Sequence, residues 1–264
     1  MNWINAFNMN WINAFNMNWI NAFNMNWIKV FNVLVLLLIV FNNRTVAQKL
    51  VVDDPLSSTA IVKGEIQKIS TGGLFTDKGW QAIGQGDYLM IEVSDEAGFE
   101  GSLNVDILNL NGQIIGDKDG SGKIHFLSMF SNSVADHHAE DGATSNDALW
   151  TLRTGFDENG NPRYGQNFKI LWASKGAKRT ENNDYHEEIV QISKDWKWVS
   201  IPYTFTVRWS QKGKSIEVFI DGNLVFRGQW LNQVSPLRYI YLAKSPDFNT
   251  LVGSWFSNLK VYAH

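Results

Sequence analysis

The chain has 264 residues, a formal net charge of −3 and no cysteine, with 21 glycines, 5 prolines and 12 tryptophans. So small a net charge gives no electrostatic reason to expect nucleic acid or an anionic membrane surface as a partner. The lack of cysteine excludes disulfides, thiol catalysis and thiolate zinc sites, so an exported form is held together by core packing alone.

Residues 1–24 are three copies of Met-Asn-Trp-Ile-Asn-Ala-Phe-Asn, and an altered fourth copy opens at Met25. A period of eight fits neither a heptad nor a solenoid unit, and the copies are read as duplicated coding sequence outside the fold. From Met25 the pattern becomes that of a secretory signal: Lys29, the apolar run Val33–Phe41, then Thr45-Val46-Ala47 before Gln48. The run is about half the ~20 residues of a membrane-spanning helix, and small residues favour cleavage after Ala47. The expected organisation is repeats at 1–24, a signal at 25–47 and one folded domain at 48–264. Export to the periplasm, cell envelope or medium follows, with no stable membrane insertion after cleavage.

Beyond Lys49 the chain reads as strands and turns. Phe205, Val207 and Trp209 alternate with Thr204, Thr206 and Arg208, the period-2 mark of a strand with one buried and one polar face. Lys212-Gly213-Lys214 turns the chain, Ile216, Val218 and Ile220 form a second strand, and Asp221-Gly222-Asn223 supplies the turn chemistry that needs positive φ. The same reasoning predicts strands at Ala60–Ile69, Gly79–Ile83, Asp87–Ser94, Gly101–Leu110, Lys123–Ser131, Ala148–Gly155, Asn167–Ala173, Leu224–Gln229, Leu237–Ala243 and Gly253–Tyr262. A short helix is expected within Asn183–Ile192. So many strands joined by turns predict an all-β fold, a two-sheet antiparallel β-sandwich of jelly-roll type.

Gly72-Gly73 with Gly79-Trp80-Gln81, Asp87–Val93, Gly101–Ile107, Phe219–Val225 and the closing Val252–Tyr262 resemble, in order and spacing, the concanavalin A-like lectin/glucanase superfamily, which includes laminin G-like domains. The resemblance spans residues 58–264 and implies a jelly roll whose last strand pairs beside its first. Such folds host lectins, glycosidases, lyases and protein-binding modules. Laminarinase-like hydrolases of the superfamily carry Glu-x-Asp-x-x-Glu on one strand. Here Asn104, Asp106 and Asn109 fill that frame, and an amide serves neither as nucleophile nor as acid/base, which argues against that hydrolysis.

Asp117, Asp119 and Ser121 have the oxygen spacing of the first half of a calcium loop, but Ser128 stands where a bidentate Glu is needed. A polar hairpin turn is the preferred reading, calcium the alternative, and no cofactor is required. Asp136, His137, His138, Glu140 and Asp141 in one loop, and Asp184, His186, Glu187 and Glu188 in another, are read as solvated polar segments before metal ligands. If Ile124, Phe126, Trp150, Leu152, Phe168, Ile170, Phe205 and Val207 face the core, then His125, Thr151, Arg153, Lys169 and Arg208 share the opposite, solvent-facing surface. Cations on one sheet face suit an extended, acidic polysaccharide gripped through charge-assisted bonds. Trp80, Trp150, Trp172, Trp209 and Trp255 are assigned to the core, and Trp196, Trp198 and Trp230 to exposed stacking positions. A secreted carbohydrate-binding module is therefore expected. The alternatives are a polysaccharide lyase or glycosidase using His125, Arg153 or Tyr203, and a protein-interaction module of laminin G type.

Overall fold

A strand buried on one side alternates in sequence because successive side chains point to opposite faces. Ser215–Ile220 does so residue by residue, with Ile216, Val218 and Ile220 buried and Ser215, Glu217 and Phe219 half-buried. The structure, a computed structural model, describes residues 48–84, 86–110, 113–115, 122–132, 149–156, 167–174, 177, 184–192, 201–229, 235–244 and 250–264. The octapeptide repeats, the signal segment, Asp117, Asp119, Ser121, the 136–141 cluster, Trp196, Trp198 and Trp230 lie outside the described residues.

The strands in chain order are β1 (Lys49–Asp54), β2 (Glu65–Ser70), β3 (Leu74–Thr76), β4 (Gly79–Gln81), β5 (Leu89–Val93), β6 (Glu100–Leu108), β7 (Gln113–Ile115), β8 (Gly122–Phe130) and β9 (Leu149–Phe156). They continue with β10 (Phe168–Ala173), β11 (Tyr185–Val190), β12 (Tyr203–Ser210), β13 (Ser215–Ile220), β14 (Asn223–Gln229), β15 (Tyr239–Lys244), β16 (Thr250–Val252) and β17 (Trp255–Ala263). One sheet runs β14-β13-β12-β6-β17-β4-β3 with β1 added beside β17, the second runs β11-β10-β9-β8-β15-β5-β2, and β16 pairs with β7 separately. Every strand pairing among the described residues is antiparallel, and the two large sheets pack as a sandwich, the predicted all-β class. β1 lies beside the last strand, β17, whereas Glu65–Ser70, at the first strand expected from the sequence, pairs with β5 in the other sheet.

Between the sheets lies a continuous core that includes Trp80, Trp150, Trp209, Phe126, Phe168 and Phe205. Phe126 and Phe168, from the second sheet, meet Phe205 of the first at ring centroids 5.4 and 6.2 Å apart, and Trp150 meets Trp209 at 6.1 Å. Each aromatic pair adds about 0.5–1.5 kcal/mol beyond its burial. Two of the buried indoles find acceptors, Trp209 Nε1 donating to Ala97 O at 3.0 Å and Trp172 Nε1 to Gln229 O at 3.0 Å. Gln48–His264 forms one compact unit. Among the described residues, no helix is long and apolar enough to cross a membrane.

Three local expectations are corrected. Tyr185–Val190, expected to be helical, is an edge strand against β10, with Tyr185, Glu187 and Ile189 on one face and His186, Glu188 and Val190 on the other. Ala60–Gly64 is not strand, and pairing begins only at Glu65. Trp255 is half-buried, beside Leu108 and Gln81 in the first sheet and outside the inter-sheet core.

Candidate functional site

The second sheet carries buried side chains on both faces. Leu89, Ile91, Met129, Trp150, Leu152, Phe168, Ile170 and Leu242 belong to the inter-sheet core. On the opposite face Met90, Phe130, Leu171, Ala173, Tyr185 and Tyr241 form a second apolar cluster, with Tyr88 and Tyr239 packed against it. This outer face also receives four of the five residues singled out from the sequence.

Strand register lines them up. Lys244 stands opposite His125, His125 opposite Arg153, and Arg153 opposite Lys169, a row of basic side chains crossing β15, β8, β9 and β10. Three strand spacings make the row roughly 14 Å long. The neighbouring row is Met90, Tyr241, Ser128, Thr151, Leu171 and Glu187. Within it Ser128 Oγ and Thr151 Oγ1 share a 2.7 Å hydrogen bond. Glu187 reaches across to Lys169 with 2.6 Å between charged atoms.

The row depends on two irregularities. A β-bulge between His125 and Leu127 places both Phe126 and Leu127 in the core, which returns His125 to the outer face. On β15, Ala243 takes φ 60° and is buried in the core directly after Leu242, so Lys244 takes the outer position. The ammonium of Lys244 lies over two rings, 4.4 Å from the Tyr241 centroid and 4.7 Å from that of Tyr88. Burial lowers its pKa below the ordinary lysine value. Lys244, Tyr88 and Tyr241 were not singled out from the sequence. The alternating Tyr239 and Tyr241 mark the face, but nothing local announces that Ala243 breaks the alternation.

The centre of this face is not solvated as expected. His125 is 1 %, Thr151 1 % and Arg153 5 % exposed. Lys169, Lys244 and Tyr88 are half-buried, so the two ends of the row are its accessible parts.

Arg208 is the exception. It lies on β12 in the first sheet, with Phe205 and Val207 of the same strand turned into the shared core. Its side chain therefore points away from the other four, out of the opposite side of the sandwich. There it meets Glu217 at 3.4 Å, which also binds Arg227 at 2.7 Å, and it covers the Phe219 ring at 4.9 Å. Tyr203, on the same strand, packs against the inter-sheet core and is not part of the basic row.

Asp106 and its neighbours do not make a cleft of carboxylates. Asp106 accepts from Thr204 Oγ1 at 2.5 Å and Asn258 Nδ2 at 2.7 Å, on the outer face of the first sheet. Asn109 takes φ 63° just beyond β6 and donates from Nδ2 to Gly253 O at 3.1 Å, a turn role. Asp184 Oδ1 lies 3.0 Å from His186 Nε2, and the His186 ring stacks on Trp172 at 5.0 Å. No group of three or more His, Cys, Asp and Glu side chains among the described residues is placed to hold a metal ion.

No protein-family profile matches the chain, and no curated protein does. Solved structures do match. They include the carbohydrate-binding module CBM66 from Bacillus subtilis, at 15% identity and TM-score 0.40, covering 74% of this chain and 95% of that one. The endo-β-1,3-glucanase from Pyrococcus furiosus matches at 10% identity and TM-score 0.41, over 67% of this chain and 66% of that one. The alginate lyase AlyC3 matches at 11% identity and TM-score 0.43, over 69% and 72% of the two chains.

Proposed function

We propose that the outer face of the second sheet binds an extended, acidic polysaccharide, with the Lys244–His125–Arg153–Lys169 row beneath the polymer. The row itself carries the reading: basic side chains from four adjacent strands stand in register on one face of a chain whose net charge is −3. Charge-assisted bonds to carboxylates are the strong class of hydrogen bond, and a linear array of donors suits a linear polyanion. Lys169 and Lys244 make first contact from the accessible ends, and Arg153 contributes its charge from the buried centre.

Eliminative cleavage of the same polymer is the second reading, favoured by the place of His125 between two cations. An imidazole is a suitable base for removing the proton beside a uronate carboxyl, and flanking cations stabilise the charge that develops there. A binding screen of the full chain against a uronic-acid polymer and its carboxyl-reduced neutral counterpart tests both readings. Much tighter retention of the acidic polymer than of its neutral counterpart, without loss of chain length, is the expected result. New unsaturated ends absorbing in the ultraviolet would select the lyase, and equal or absent binding of the two polymers would overturn the reading.

A further inference from the structure

Among the described residues, Lys244 differs from Lys68, Lys169, Arg208 and Arg238. Lys68 sits between Asp54 and Glu65, Lys169 is paired with Glu187, Arg208 with Glu217, and Arg238 with Glu92 and Asp95. Lys244 is half-buried and faces two aromatic rings, with no carboxylate of the described residues in ion-pair range. The π faces of Tyr88 and Tyr241 attract the charge, yet they satisfy none of the three N–H donors of an ammonium. The two rings are 6.0 Å apart and tilted 54° to each other, and Tyr88 is the more exposed of the pair. An exposed aromatic edge beside an ammonium that still has donors to give is the chemistry of an acidic sugar site: the ring covers the apolar face of the pyranose and the ammonium takes its anionic group.

Resting on the reading of this face as a polysaccharide site, we propose that Lys244, Tyr88 and Tyr241 form the anchoring subsite for one acidic sugar at the β15 end of the row. The anionic group bonds Lys244 Nζ and the sugar ring lies against Tyr88, while Tyr241, buried beneath, fixes the position of the ammonium. Among the described residues, the groups facing Lys244 are Tyr241 on its own strand, His125 opposite on β8, and Tyr88 just ahead of β5. Because burial disfavours the charged form, Lys244 gives up its proton at a lower pH than an exposed lysine. Affinity for the acidic ligand therefore falls, as pH rises, at a lower pH than an exposed lysine would set, and a Lys244→Gln variant lacks that early fall.

The test measures affinity of the full chain for a defined uronic-acid oligosaccharide, its carboxyl-reduced form and a sulfated neutral glucan. Lys244→Gln, Tyr88→Ala and Lys169→Ala are compared with the unaltered protein, with thermal melts confirming that each is folded. Lys244→Gln is expected to weaken binding of the oligosaccharide about ten- to a hundredfold, and to leave the carboxyl-reduced form unaffected. Tyr88→Ala weakens both forms, as loss of stacking must. Binding of the sulfated glucan that also depends on Lys244 would widen the ligand to any anionic sugar, and independence from Lys244 would restrict it to carboxylates; either outcome keeps the subsite. Unchanged affinity in Lys244→Gln alongside a loss in Lys169→Ala would overturn the subsite and leave the face standing. Failure of the unaltered protein to bind any of the three would overturn both.

Discussion

The side chain of Lys68 is almost wholly buried, and it lies 2.5 Å from Asp54 and 3.2 Å from Glu65, with its ammonium also donating to Ala60 O at 2.7 Å. The cluster joins the end of β1, in one sheet, to β2, in the other. Two carboxylates against one ammonium leave an excess negative charge out of water. Burial, above all, pushes the Glu65 carboxyl up to about 7, and the adjacent Asp54 adds to the shift, while the Val62 N–H and Lys68 oppose it. A carboxyl raised in the folded state holds its proton more tightly there than in the unfolded chain. Its stabilisation is full below the unfolded value near 4.5 and is lost as pH climbs through about 7. Denaturant melts at pH 5 and pH 8 should show the protein losing on the order of 2 kcal/mol that a Glu65→Gln variant does not lose. Parallel losses in both proteins would contradict this account. Arg153 teaches a related lesson about single residues. Alternation correctly put it on the face away from the core, but alternation is silent on whether that face is covered, and at 5 % exposure the side chain is not the freely replaceable surface residue that its sequence pattern suggests.

Turns and strand irregularities show which local chemistry is legible. Asp221-Gly222 was read as a turn needing positive φ, and the two residues have φ 49° and 78° between β13 and β14. A Cβ at Gly222 would meet nothing within 4 Å, so Gly222→Ala isolates the backbone cost. Urea unfolding should register a loss of about 1–2 kcal/mol, and a change under about 0.5 kcal/mol would contradict the left-handed turn. The bulge in β8 and the positive φ of Ala243 were not foreseen, because each is set by partner strands distant in sequence rather than by a glycine or a turn signal. Strand β1 was missed for a similar reason. Lys49–Asp54 is too short and too mixed to declare itself, and it becomes a strand by pairing with β17, where Val51 and Val52 are buried. The helical reading of Asn183–Ile192 followed the Tyr-His-Glu-Glu composition, whereas the same residues also alternate in strand fashion, and pairing with β10 decided the matter.

At the scale of the whole molecule, the all-β class and most strands could be read from periodicity, but the assignment of strands to sheets could not. A strand with one apolar face looks the same whichever side of a sandwich it lines. β12 was therefore grouped with β8, β9 and β10 when it in fact pairs with β6 and β13, and Arg208 leaves the molecule on the opposite side. That separation turns an error of topology into a control for function. The most direct test of the account is to compare affinities of Lys169→Ala and Arg208→Ala for the same uronic-acid polymer at fixed salt. Roughly tenfold or greater weakening is expected in Lys169→Ala, with no change in Arg208→Ala. Weakening in Arg208→Ala with Lys169→Ala unaffected would place the polymer on the first sheet and contradict the proposal.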